Sequence, residues 1–420
     1  MRRAAAVLAA AVFVSAPPAI AGAADTLPSG RTEYRALADY SAEIAALAAA
    51  HPDRVRRVVI GASVAGRPVE GLEIAADVAR TDDGRPVHLE LGLTHGNEWP
   101  SGEVVMELAH ELAAGTGSRL QRLRARTRTF LFPVLNPDGL QLSQTVFDAQ
   151  RKNAAGVDLN RNFGTFWGGP GAGDDLQSST YRGPEPYSEP ESAALRAFSS
   201  AHHVVVVNSN HTFGSAVLHQ PGFGVDAPGL PAGTRLPGTG RFAALGARMA
   251  RAAGYDSAPA FTLGDITGAV EDFNYFNQFA LAFTTEIGED AHHGPYADAV
   301  VDQYAAGSDG TGVRAAMLLA GEAAAGRSSH ALLRGSAPPG ETLRLTRTVA
   351  SPTFTRSLTE RFATSLTVGP TGRFRWHVNP STRPLVVLAG RTEKWTLTCG
   401  DQRRRFAVGL GRVRNLALTC

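Results

Sequence analysis

The chain has 420 residues, 43% of them apolar and 19% charged, with a formal charge of +2 and two cysteines. That length exceeds one average domain and suits two, one of them large, and the apolar content supports a real core. Arg2 and Arg3 contribute to the charge, so the rest is near neutral, and no basic tract is present to steer nucleic acid or an anionic membrane.

Met1-Arg2-Arg3 and the apolar run from Ala4 to Val14 have the form of a secretory leader, with small-residue cleavage sites around Ala21. The run breaks at Ser15-Ala16-Pro17-Pro18 and is too short to span a bilayer. Residues 1–24 are therefore expected to be removed, leaving a secreted, extracellular protein without an anchor.

Tyr40, Ile44 and Leu47 recur at helical spacing until His51-Pro52. Two strand-like runs, 55–60 and 69–74, flank the turn Ala65-Gly66-Arg67-Pro68 and predict a hairpin. A strand over 87–93 leads to a helix from Pro100 to about 114, and a buried strand over 129–135 stops at the turn Asn136-Pro137-Asp138-Gly139. Gly- and Pro-rich stretches at 164–190 and 214–240 read as loops, and Val204–Val207 as a central strand. Helices are expected at about 240–253, 270–277 and 313–325, with a strand over 280–285. Strands alternating with helices indicate an α/β sheet domain over residues 25–331. From residue 332 Thr, Arg and Val alternate and turns come every eight to twelve residues, which predicts a small all-β sandwich over 332–420. Cys399 and Cys420 would form one disulfide there.

The chemistry-bearing residues sit where these runs end. His95 and Glu98 lie between a strand and a helix, the place where open α/β sheets put their ligand sites. His211 lies just past the Val204–Val207 run, and Glu286 ends the 280–285 strand. Together His95, Glu98 and His211 offer a His₂Glu set for zinc, which leaves one position for water. Glu286 can accept that water's proton, Arg151 can face a developing oxyanion, and Asn160 with Arg161 can hold a carboxylate. The pairs His202-His203 and His292-His293 read as surface histidines, and Ser63 lacks the glycines of a nucleophile elbow.

The order and spacing of HxxE at His95 and Glu98, NPDG at 136–139, Arg151-Lys152, GVDxNRNF at 156–163, His211 and TxE at 284–286 resemble the zinc carboxypeptidases of the carboxypeptidase A type. The resemblance covers about residues 35–325. It implies a mixed eight-stranded sheet flanked by helices and removal of one residue from the free C-terminus of a peptide or protein by a monomeric enzyme. Two positions depart from the family: Asn97 stands where an arginine is common before the metal-binding glutamate, and Gly264 where a mobile tyrosine is common. The long inhibitory segment that precedes the digestive enzymes is not expected here. The family places the residue before its aspartate–aromatic pair deep in the side-chain pocket. Here that residue is Glu271, which would suit a basic terminus. Two other readings remain: a zinc amidase acting on cell-wall peptides or other acyl-amino acids, and a decayed binding protein whose β domain does the work.

Overall fold

A computed structural model describes residues 27–305 and 311–420, so the leader expected at residues 1–24 lies outside the described residues. Eight strands form one mixed sheet: β1 (Val55–Ala62), β2 (Pro68–Ile74), β3 (Val87–Leu91), β4 (Arg128–Phe132), β5 (Val204–His211), β6 (Ala216–His219), β7 (Asp256–Pro259) and β8 (Leu281–Glu286). Their order is β1-β2-β4-β3-β5-β8-β6-β7, and the four central strands β4, β3, β5 and β8 run parallel. Strand alternation divides the core in two. Phe130 and Phe132 pack with Leu195 and Phe198 on one face, while Leu131 between them packs with Tyr40, Ile44 and Val104 on the other. All eight residues of β5 are buried, as expected for a central parallel strand.

The helices before and between these strands are α1 (Leu37–Ala50), α2 (Trp99–Ala114), α3 (Ser118–Arg126), α4 (Pro137–Thr145), α5 (Pro190–Ala201), α6 (Thr239–Ala253) and α7 (Val270–Phe273); short helical turns at Asp302–Tyr304 and Pro384–Leu388 and a longer helix at Val313–Ala325 come after the eighth strand. The NPDG segment, expected to stop the chain in a turn, instead opens α4. Asn136 caps that helix by accepting the Gly139 N–H at 2.8 Å, and Pro137 stands in its first turn, where a missing N–H costs least. The helix expected over 270–277 winds as α only to Phe273 and then widens into a π turn over Asn274–Gln278. β6 lies inside the stretch expected to be loop. His203 is buried rather than at the surface, bonded to Asn379 and Thr364.

The C-terminal segment forms two small sheets from β9 (Ala331–Ser336), β10 (Thr342–Pro352), β11 (Ser357–Thr367), β12 (Arg373–Val378), β13 (Trp395–Cys399), β14 (Gln402–Phe406) and β15 (Val413–Ala417). One is antiparallel with order β11-β10-β13-β14; the other, β12-β9-β15, has one parallel pair. Cys399 and Cys420 are bonded, with Cα atoms 5.0 Å apart. These sheets share an apolar cluster with the large one: Trp376, Trp395 and Leu345 belong to the same core as Phe130 and Val206. Polar ties cross the same boundary. The Phe166 N–H donates to Pro352 O at 2.7 Å, Tyr187 Oη to Glu360 at 3.1 Å, and Asn379 Nδ2 to Val204 O at 2.7 Å.

Candidate active site

The ends of β3, β5 and β8 meet at one edge of the sheet. Beyond β3, Leu93 adopts φ +44° and turns the chain toward His95. Glu98 then occupies the cap position before α2, and Ser101 Oγ donates to its carbonyl at 2.6 Å. Gly96 is required there, because a Cβ would lie 2.2 Å from the backbone of Gly139 at the start of α4. β5 and β8 are parallel neighbours whose registers end together, with His211 opposite Glu286.

His95 Nδ1 lies 2.8 Å from Glu98 Oε1, and His211 Nδ1 lies 2.9 Å from Glu98 Oε2 and 3.1 Å from His95 Nδ1. All three residues are buried. Each imidazole spends its other nitrogen away from this meeting point: His95 Nε2 on Asp158 Oδ1 at 3.1 Å, His211 Nε2 on Ser209 Oγ at 2.9 Å. Two nitrogens and a carboxylate converging in this way, with their far sides fixed by polar partners, are a donor set that fits zinc.

Asp158 does more than orient His95. Its Oδ2 takes both Nε and Nη2 of Arg151 at 3.1 and 3.0 Å, which turns Arg151 Nη1 to within 3.3 Å of Glu98 Oε1. Burial would raise the Asp158 carboxyl, but Arg151 and His95 hold it well below the usual range. Burial would likewise raise Glu98, and the two imidazoles outweigh it and hold it low. His211 responds in the opposite sense: burial lowers it, yet the Glu98 carboxylate pushes it up to about 9. Glu286, buried and only partly offset by His211, is raised to about 7.

Asn160 and Arg161 stand on the far wall of the same cavity, which encloses about 240 Å³ and is also lined by Arg151, Glu271, Thr284 and Glu286. Asn160 Oδ1 accepts the Val270 N–H at 3.1 Å, so its amide NH₂ is the end without a partner among the described residues. Arg161 is anchored through Nε on Gly171 O at 2.7 Å and Nη1 on Asn160 O at 3.0 Å. Glu271 accepts from Thr284 Oγ1 at 2.8 Å and lines the cavity with the rest. All eight residues singled out from the sequence therefore face one cavity. Asp158 and Ser209, which fix the two histidines, were not singled out; Asp158 was visible only as the third residue of GVDxNRNF.

A family model described as zinc carboxypeptidase matches residues 40–301. The chain belongs to that family. Over 179 residues the chain is 33% identical to mouse carboxypeptidase A2, a match that covers 40% of this chain and 42% of that one. The matched stretch thus spans less than half the length of the curated relatives. Among solved structures, carboxypeptidase A from Helicoverpa armigera superposes with a TM-score of 0.60 at 26% identity, covering 70% of this chain and 74% of its own. Thrombin-activatable fibrinolysis inhibitor shares the fold at TM-score 0.61 and 20% identity, covering 70% of this chain and 76% of its own. The two departures from the carboxypeptidase pattern have clear structural settings. Asn97 is buried, and its backbone oxygen meets His293 Nδ1 at 2.9 Å. Gly264 ends the short turn Ala260–Leu263 with φ +126°, so no side chain projects from that point.

Proposed function

We propose that the protein is a secreted zinc carboxypeptidase that removes the last residue of a peptide and favours a basic one. The observation that carries this reading is the convergence of His95 Nδ1, His211 Nδ1 and the Glu98 carboxylate on the cavity that Glu286, Arg151 and Arg161 also line. Zinc held by these three donors would supply Lewis-acid chemistry, acidifying a water and polarising the scissile carbonyl. Glu286 takes the proton from the attacking water and returns it to the departing amine nitrogen, a task suited to a carboxyl raised toward neutrality. Arg151, locked by Asp158, presents fixed positive charge to the oxygen on which negative charge develops. Arg161 and the Asn160 amide bind the substrate's terminal carboxylate, so only a peptide with a free C-terminus fits. Glu271 meets the terminal side chain. The leader-like start of the sequence supports export.

The test is a set of peptides that differ only in their last residue, assayed with and without chelator. Hydrolysis that stops on chelation, returns with zinc and fails on C-terminal amides is expected. Cleavage of amidated peptides at the native rate would overturn the carboxypeptidase reading.

A further inference from the structure

Charge is distributed unevenly along the chain. From residue 332 onward there are fifteen Lys and Arg against four Asp and Glu, whereas residues 1–331 hold twenty-six against thirty-five. The near-neutral total therefore conceals a C-terminal segment of net +11 joined to a remainder of net −9. Apart from Arg403–Arg405 no basic run marks it; the strand period gathers the charge on folding.

In β10 the buried residues are Leu343, Leu345, Arg347, Val349 and Ser351, which sends Arg344, Thr346 and Thr348 outward. Arg344 pairs in register with Thr398 of β13 and Ser365 of β11. Thr398 in turn lies opposite Arg403, Thr396 opposite Arg405, and Thr348 opposite Arg361. The outer face of the four-stranded sheet therefore carries Arg344, Arg361, Arg403 and Arg405 among threonine and serine hydroxyls. All four arginines are exposed, and none has a partner among the described residues. No Asp or Glu occupies an outward position on these strands. Of the segment's four acids, Glu360 pairs inward with Arg196, Glu393 pairs with Arg383 and Glu341 accepts the Gly400 N–H, while Asp401 stands exposed in the turn between β13 and β14.

A rigid sheet holds these guanidiniums at fixed spacings, with Arg344 and Arg403 two strands and so about 10 Å apart. We propose that this face docks a linear anionic polysaccharide, the guanidinium forks taking its acidic groups and the hydroxyls its sugar oxygens. A polymer fits because the charges extend across four strands rather than closing on one small ligand. A glycan fits better than single-stranded nucleic acid, since no aromatic ring stands outward for bases to stack on. It also fits better than a bilayer, since no large apolar side chain is exposed on these strands.

The test titrates the full-length protein with a heparin oligosaccharide over a series of NaCl concentrations, with poly(dT) and phosphatidylglycerol vesicles as competing arms. Binding is read without turnover, so it stands apart from the peptidase reading. Heparin should bind tightest, with affinity falling as salt rises. A variant carrying Arg344→Ser, Arg361→Ser, Arg403→Ser and Arg405→Ser should bind at least tenfold more weakly with a shallower salt dependence, at an unchanged melting temperature. Arg334→Ser with Arg373→Ser and Arg375→Ser, on the outer face of the other small sheet, should cost less than threefold. Equal losses in the two variants, no loss in the first, or tighter binding of poly(dT) or vesicles would overturn the proposal.

Discussion

Asp158 joins two residues of the site, holding His95 with one oxygen and Arg151 with the other. Asp158→Asn keeps the shape but leaves Arg151 without its counter-charge and loosens the His95 ring. Zinc retention against a competing chelator should fall by about 10- to 100-fold, the usual cost of losing a partner behind a ligand; unchanged retention would refute that role. Glu286→Gln separates binding from chemistry. Zinc content should stay at one per chain while kcat drops by about 10²- to 10⁴-fold, the scale of a positioned proton acceptor, and near-normal turnover would assign the proton to another group. In the proposed function Glu271 is the residue that meets the terminal side chain. Its carboxylate, with Thr284 as its hydrogen-bond donor, is matched by a Lys or Arg terminus and left unpaired by Leu. Native kcat/KM should favour Arg over Leu by at least about tenfold, or 1.4 kcal/mol. Glu271→Gln should shrink that gap mainly by weakening the Arg substrate, and equal native values for the two termini would contradict this. His95, Glu98, His211 and Glu286 were legible in the sequence because each follows an apolar run at a strand's end. Asp158 was not, because its two partners are brought to it only by folding.

Asn136 shows how a short motif can do structural work at the scale of an element. Its Oδ1 caps α4, while its Nδ2 approaches Thr94 O and Arg151 O, both at 3.4 Å, so one side chain joins a helix start to the loops bearing His95 and Arg151. Asn136→Ala should cost about 1 kcal/mol from the cap alone and should lower kcat/KM together with the melting temperature. A lowered melting temperature with kcat/KM intact would show that the loops hold their places without it. The sequence read NPDG as a stop because its turn residues also suit a helix N-terminus, and composition alone does not choose between them. α3 was missed for another reason: SRLQRLRAR has only Leu120 and Leu123 as large apolar residues, too few to declare a period. β6 and β7, four residues each, are too short to register against the Gly and Pro around them. The strongly patterned elements β3, α2, β5 and β8 were read correctly, and they are the ones that position His95, Glu98, His211 and Glu286.

Three histidines report on the whole molecule. His203 lies where β5 begins, against Thr364 and Asn379 of the C-terminal sheets, and His330 Nε2 meets His377 Nδ1 at 2.6 Å just below. Burial holds His203 and His330 down to about 3 and His377 to about 4. In the unfolded chain each titrates near 6.5. Above that pH both states are neutral there and stability is unaffected. As pH falls from about 6.5 toward 3 the unfolded chain takes up protons the folded one refuses, so stability is lost. These histidines pull the melting temperature down between pH 7 and pH 4.5, against Glu286 and Asp272, whose raised carboxyls favour the folded state as pH falls. Over that range the melting temperature of His203→Gln should fall less, or rise more, than that of the native protein; an equal pH dependence in that variant would clear His203 of the effect. The core that these histidines seal also sets an order on the making of the protein. Every group that faces the cavity has been synthesised once His292 is added, yet the stretch behind Arg161 rests through Phe166 on Pro352, and β5 is closed over only when Trp376 and Trp395 arrive. A nascent chain stalled between these points holds every residue of the proposed site and lacks the wall it leans on. The strands β9 to β15 would then act as a built-in timer, holding back the proposed activity until they have been made.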